Sequence, residues 1–415
     1  MAISRFRWLG ENGSTAGFNF GATILAAVTG VLLARWLGPT GRGNYAAITA
    51  YFGLLLVITG LGTGSSVVYF TSRERSEADS YVRTATAMLV PLAVIGVAAT
   101  ILIAEFGLNG EDPRRTPLLV LVACIIASLI GSVRIFALQS LSIAKWNLIR
   151  LVQPATMLIL VAGYWAFRPI TVTAVIALFA ISLSAQSTLS WFLYSRQTIL
   201  RGRYSRSKVL PLTTYGLASV ASIAPNSINA SFDQLVLATT VAPALLGQYA
   251  VAVTLSLLIG PLALAFGYVA FPRLARGGDS EHAISQALRG SFLVSTIGVA
   301  TIVASSPVVV PTLFGHGYSE VPKLLLALAP GAVFFIVNQV IGDLLRGLGR
   351  PGLTARCELV GLACTLIGLF ILVPRFGAYG AAFTSSFVYF IVHILLRIYL
   401  HKERSKRVLD VARGL

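Results

Sequence analysis

Carboxylates are scarce in this chain: 15 Asp and Glu occur among 415 residues, and charged residues of both signs make up 11%. A soluble domain carries roughly 25%, so this composition cannot clothe an ordinary water-facing surface. Cysteine is nearly missing too. Cys124, Cys357 and Cys364 lie in or at the ends of apolar runs without CxxC spacing, which argues against a disulfide framework or a metal site and for small buried apolar residues. Four histidines, His282, His316, His393 and His401, are scattered near the ends of those runs and read as surface residues. No GxxxxGK[ST] loop occurs, which excludes nucleotide hydrolysis through a P-loop. No DxD pair occurs to hold a metal-bound sugar nucleotide.

What fills the space is hydrocarbon. Apolar residues make up 56% of the chain, and they gather in runs long enough to cross a membrane core of about 30 Å as helices. About twelve fall near 14–36, 44–70, 84–106, 117–143, 147–167, 171–195, 209–237, 244–271, 290–311, 320–345, 353–373 and 379–400. The first is too long for a cleavable signal and lacks a small-residue exit site, so it is expected to stay as the first span. The fold class is all-α and polytopic.

The net charge of +17 sorts by side. With the N-terminus inside, 24 of the 32 Lys and Arg fall on the cytoplasmic side and seven outside, while Arg134 lies within a span. That bias is the positive-inside rule for an even number of spans with both termini cytoplasmic. Basic loops then mark orientation and contact with anionic lipid, and no basic soluble module is present to bind nucleic acid. The expected location is the cytoplasmic (inner) membrane of a bacterium.

GNYAAITA at 43–50 returns as GQYAVAVT at 247–254. At the same offset of 204, Pro39 matches Pro243 and Ser76-Glu77 matches Ser280-Glu281; at 206, Arg83 matches Arg289 and Arg150 matches Arg356. An offset spanning six helices gives both copies the same orientation, a parallel repeat about an axis along the membrane normal. Two six-helix lobes around a central cleft are therefore expected, at 1–202 and 203–400, followed by a basic cytoplasmic tail at 401–415.

Several phrases resemble one family. LGPTGRGNYAAITAY (37–51), GLGTGSSVVYF (60–70), NASFDQLVLATTVAPALLGQYAVAVTL (229–255) and GLGRPGLTARCELVGLACTLIGLFILVPRFGAYGAAFTSS (347–386) are similar to the polysaccharide-flippase branch of the multidrug/oligosaccharidyl-lipid/polysaccharide exporter superfamily. The resemblance covers most of the chain through loose patterns. It implies a secondary-active flippase that moves a lipid-diphosphate-linked oligosaccharide from the cytoplasmic to the outer leaflet by alternating access, for O-antigen, exopolysaccharide or capsule assembly. It also implies membrane lipid and a polysaccharide polymerase or other assembly proteins as partners. Lipid II flippases of the superfamily usually carry two further helices, which this chain lacks. No cofactor is expected; a proton or sodium gradient is the expected drive.

Ionisable groups inside spans are functional candidates by default. Arg134 sits about 16 Å from Lys145 along its helix, above the small residues Ala123, Ala127 and Gly131. Two readings stay open: a bidentate grip on a diphosphate, or an internal pair with Glu105 or Asp343. Tyr215, Ser219, Ser222, Asn226, Asn229 and Asp233 follow increments of four and three, one side of a helix. Such a stripe lines a wet cleft that binds sugar or bonds to neighbouring helices; Pro225 within it should bend the helix. Asn12, Thr15, Asn19 and Thr23 form a weaker stripe on the first span, with Asn19 a candidate substrate contact. Asp233 is the ion-coupling candidate, or else the partner of an outer cation such as Arg35. Gln339, Asp343 and Arg346 share a face, with Asp343 and Arg346 placed to pair as a gate or anchor. RLARGGDSEHAISQAL (273–288) reads as a short interfacial amphipathic segment.

Two rival functions follow. A membrane-embedded polymerase or glycosyltransferase needs a sizeable outer loop or soluble domain, and the outer connections here are short. A multidrug antiporter wants cleft carboxylates for cations, whereas the clearest in-membrane charge is Arg134.

Overall fold

The protein is described here from a computed structural model at residues 2–194, 202–229, 231–275 and 280–412; side chains are described from residue 17 onward, except at 221–227, 272–273, 275, 280, 351 and 406–412. The apolar runs form thirteen helices among the described residues, with no strand among them. In chain order they are α1 (Ala2–Gly60), α2 (Thr63–Arg73), α3 (Ala78–Leu102), α4 (Arg115–Leu141), α5 (Ile143–Trp165), α6 (Val172–Leu193), α7 (Arg206–Asn229), α8 (Phe232–Thr240), α9 (Pro243–Ser256), α10 (Gly260–Ala275), α11 (Ser280–Phe314), α12 (Val321–Gly347) and α13 (Pro351–Ala412).

Eight stretches among the described residues are long and apolar enough to cross a membrane, and a ninth is the pair α9–α10, bent by 43°. Two of the eight exceed a single crossing. Gly17–Gly60 has 44 residues and Gly352–Ser405 has 54, about 66 and 81 Å of helix against a core of about 30 Å. Each is interrupted by one glycine in a conformation that side chains resist, Gly38 (φ 66°, ψ 177°) and Gly377 (φ 53°, ψ −130°). Split there, these two supply four spans. With the bent pair these make eleven among the described residues, and α7, of 24 residues but more polar, stands where the sequence predicts a twelfth.

Several boundaries differ from those expected. The span expected at 44–70 breaks at Leu61 and Gly62, both with positive φ, and the span expected at 209–237 is divided between α7 and α8. α7 is helical through Pro225. The segment expected as a short interfacial helix at 273–288 is divided between the end of α10 and the first turns of α11, a 35-residue helix from Ser280, with 276–279 outside the described residues. The basic tail continues α13, where Arg350 bonds Glu403 and Arg404 forks onto Glu281.

The chain divides into two compact units, Met1–Ala221 and Ser222–Leu415. The boundary falls inside α7 rather than at 202–203, because the first half of α7 packs on the first unit. Ser66 Oγ donates to the Leu212 carbonyl at 2.7 Å, and Gly62 and Gly216 meet backbone to backbone. In the first unit α4 lies between α3 and α6; in the second, α12 lies among α10, α11 and α13. α12 is the most enclosed of the apolar spans among the described residues, with more than half of its most apolar stretch buried. α4 and α12 are each 27 residues long and stand 206 residues apart at both ends, so the repeat extends to whole elements. α4 approaches α6, and α12 approaches α13, through a glycine set against a serine, Gly131 on Ser187 and Gly331 on Ser386, the small-residue contact that brings membrane helices close.

Glu320, outside the spans, accepts from Tyr379 Oη at 2.6 Å, while its backbone N–H donates to Gln248 Oε1 at 2.7 Å. The Tyr379 bond, then Lys323, holds the Glu320 carboxyl below its usual range. A depressed folded value stabilises above the unfolded pKa and is lost as pH falls through the lowered one. Tyr379→Phe should therefore move the acid-induced rise in amide exchange at 316–320 to higher pH. Gly38→Ala has open space around it but keeps φ 66°, so it should cost about 1–3 kcal/mol of strain. Gly62→Ala adds a clash 2.2 Å from the Gly216 carbonyl oxygen and should lower the melting temperature in detergent further than Gly38→Ala.

Candidate functional site

In the first unit the central feature is Arg134 on α4. Neither carboxylate considered for it is available: Glu105 pairs with Arg115, and Asp343 pairs with Arg346. Among the described residues no ion pair or hydrogen bond reaches Arg134, and its Nε is buried without a partner. An arginine stays charged, and an unpaired guanidinium out of water is costly. Gly131, one turn earlier, abuts Ser187 of α6, so that part of the small-residue face meets protein as expected, whereas Ala123 is exposed. Asn19 on α1 also has a buried side-chain oxygen without a partner, while Thr23 spends its hydroxyl on the Asn19 carbonyl at 2.9 Å. The side chains of Asn12 and Thr15 lie outside the described residues.

The α7 stripe separates into parts. Tyr215 stacks on Tyr69 with centroids 4.3 Å apart, and Arg73 Nη1 donates to Tyr69 Oη at 2.9 Å. Ser219 Oγ donates to its own helix at the Tyr215 carbonyl, 2.9 Å away. The side chains of Ser222, Pro225 and Asn226 are outside the described residues. Asn229 takes the second of the two readings, bonding to a neighbouring helix: it is 2% exposed and its Nδ2 donates to Glu358 Oε2 and to the Glu358 carbonyl, each at 3.3 Å, while its Oδ1 is buried without a partner. Asp233 is not on this helix at all, since the helical register ends at Asn229.

In the second unit Asp233 opens α8, where a helix N-terminus favours a carboxylate, and is 4% exposed. It accepts from Tyr249 Oη, from Ser385 Oγ at 3.4 Å and from the Gln234 N–H at 2.6 Å. No cation pairs with it among the described residues; Arg35 belongs to the other unit. Tyr249 is the tyrosine of the repeated phrase, fully buried, so in the second copy the phrase anchors a carboxylate. Arg346 and Asp343 do pair, as their spacing predicts, and Gly267 of α10 leaves room for the Asp343 carboxylate.

Sequence reasoning missed the rest of this group. Glu358 is buried, and α13 presents Ser385, Tyr389, His393 and Arg397 at successive intervals of four. His393, expected at a surface, is buried. Asn338 Nδ2 donates to the Tyr389 carbonyl at 2.9 Å, leaving Oδ1 to accept from His393 Nδ1–H at 2.9 Å; His393 Nε2 then accepts from Arg397 Nε at 3.4 Å. The four-residue spacing on α13 was the available signal, but it lay inside a strongly apolar run. No group of three His, Cys, Asp or Glu side chains among the described residues is placed to hold a metal ion.

Comparison with known proteins agrees with this architecture. The family model described as polysaccharide biosynthesis protein matches residues 12–277. A membrane protein of Methanocaldococcus jannaschii is 28% identical over 214 residues, covering 50% of this chain and 42% of its own length; the present chain thus spans less than half of that relative. The probable low-salt glycan biosynthesis flippase Agl15 of Haloferax volcanii is 23% identical over 377 residues, covering 88% of this chain and 78% of the relative. Among solved structures, the lipid II flippase MurJ in an inward closed conformation superposes with a TM-score of 0.78 at 16% identity, covering 95% of this chain and 90% of that one. At that identity the likeness is one of fold.

Tyr249→Phe deletes one of three donors to Asp233 and should destabilise the second unit by about 1.5–3 kcal/mol, the worth of a hydrogen bond to a charged group. An unchanged melting temperature in detergent would show that Tyr249 does not anchor Asp233.

Proposed function

The chain belongs to the polysaccharide biosynthesis protein family, and from that membership we propose that it is a secondary-active flippase for a lipid-diphosphate-linked oligosaccharide. Arg134 carries the reading: a guanidinium within an apolar helix, without a carboxylate, is a ready partner for a diphosphate. Two parallel N–H donors match phosphate oxygens, and the low surrounding dielectric strengthens the pair. Asn19, with its unpartnered oxygen, suits a sugar hydroxyl, and Tyr215, Ser219, Ser222 and Asn226 complete the proposed lining. Asn229 leaves that lining and serves Glu358. The relative named as a probable glycan biosynthesis flippase, matched over 88% of this chain, supports the substrate class.

Energy comes from a proton or sodium gradient, with Asp233 as the coupling group. Its three donors and its seclusion from cations make uptake of a positive ion the step that changes its environment. The chain performs transport by alternating access rather than catalysis, in the cytoplasmic membrane with both termini inside; the bias of 24 basic residues against seven supports that orientation. A polymerase of polysaccharide assembly receives the exported unit.

Deleting the gene should cause a complete lipid-linked repeat unit to accumulate, read by mass spectrometry of extracted lipids; accumulation of truncated sugars would identify an enzyme instead. In the complemented strain Arg134→Ala should cut export about 10–100-fold, equivalent to about 1.5–3 kcal/mol, while the protein stays folded in the membrane. Arg134→Lys should restore it in part, since the ammonium lacks the fork. For coupling, Asp233→Asn should abolish the dependence of transport on an imposed pH or sodium gradient; a retained dependence on both excludes Asp233 as the site.

A further inference from the structure

The second unit also holds a groove of about 640 Å³ between α10 and the first turns of α11, within the range of small-molecule sites, about 300–1,000 Å³. Its floor is Ala270, Ala283 and Ala287, buried members of the unit's core. Alanines end at Cβ, so the two helices touch without interlocking and leave a trough. Phe266 closes one end, its ring seated on Gly290, where a methyl would come within 2.3 Å of the ring. Val269 walls the trough and is 56% exposed, so the apolar channel opens along its side.

The rim carries Gln286 and Arg289, both exposed. Gln286 bonds His282, and Glu281, the acidic residue on the same turns, is taken by Arg404. Among the described residues Arg289 makes no hydrogen bond and no ion pair. An uncompensated guanidinium at the mouth of a hydrocarbon trough is complementary to an amphiphile with an apolar chain and one anionic phosphate.

We propose that this groove binds one anionic phospholipid of the surrounding membrane. An acyl chain lies along Ala270, Ala283 and Ala287, and the phosphate diester accepts from Arg289. The single guanidinium matches the single charge of a phosphate diester, which distinguishes this occupant from a diphosphate-linked carrier. The site is independent of the export reading, because binding is measured without transport.

The test is native mass spectrometry of the full chain released from nanodiscs of phosphatidylglycerol and phosphatidylcholine in equal parts. The wild type should retain phosphatidylglycerol over phosphatidylcholine through stepwise delipidation. Arg289→Gln should lower phosphatidylglycerol retention about tenfold, the loss of one charge-assisted contact, and remove the preference. Ala287→Phe, which fills the trough, should lower retention of both lipids. Because Arg289→Gln alters an exposed side chain, it decides the matter even where Ala287→Phe does not fold. Equal retention of the two lipids by the wild type, an unchanged preference in Arg289→Gln, or recovery of a lipid-linked saccharide in the groove overturns the proposal.

Discussion

In a medium without water, every hydrogen-bonding group must find its partner inside the protein, and this constraint orders the molecule. The backbone answers with helices. Hydroxyls answer locally: Thr29, Thr59, Thr71, Thr100, Thr254 and Thr384 each donate to the carbonyl four residues earlier. Such residues are tolerated anywhere along a span because they need nothing from a neighbouring helix. Amides and ionisable groups cannot satisfy themselves this way. Their positions therefore fix which helices must come together.

The two units meet that demand differently. In the second, Asp233, Asn229, Asn338, Glu358 and His393 are all buried and bonded to partners on α7, α8, α9, α12 and α13. That network ties short or broken helices, α8 and α9, to the long ones. Buried polar atoms without a partner occur in both units, among them Arg134 Nε and Asn19 Oδ1 in the first and Asn229 Oδ1, Ser295 Oγ and Thr354 Oγ1 in the second; of these, Arg134 is the one that carries a charge. An unsatisfied buried polar atom costs about 1–3 kcal/mol, a deficit that a phosphorylated sugar bound at Arg134 would relieve. The second unit's ionisable groups are thus largely bonded within it, whereas the first unit's Arg134 has no carboxylate beside it.

How much of this was legible depends on the range of the interaction. The apolar runs marked the spans because lipid burial is a local property of composition. The breaks at Leu61–Gly62 and between α9 and α10 were hidden, since composition continues unchanged across them and the Gly62–Gly216 contact joins residues far apart in sequence. The three- and four-residue rhythm of α7 was readable. Its partners were not: Glu358 lies 129 residues from Asn229, and Ser385 lies 152 from Asp233. His393 was misplaced for the same reason, because its partner Asn338 belongs to another helix. Arg134 was legible as a candidate, since one charge in an apolar run stands out whatever surrounds it.

The repeat adds the last constraint. α4 and α12 coincide in length at an offset of 206, yet no buried charge is duplicated. Position 29, the counterpart of Asp233 at an offset of 204, is threonine; at 206, Arg134 corresponds to Val340, Asp343 to Ala137 and Glu358 to Val152. Tyr249 anchors Asp233, whereas Tyr45 lies beneath Arg42, 5.3 Å from its ring centre. If both copies bound the same ion or the same substrate, at least one of these groups would recur. The duplication therefore preserves a backbone and its close helix contacts, and each copy carries its own chemistry. The buried ionisable groups are distributed asymmetrically, with Arg134 in the first half and Asp233, Asp343 and Glu358 in the second.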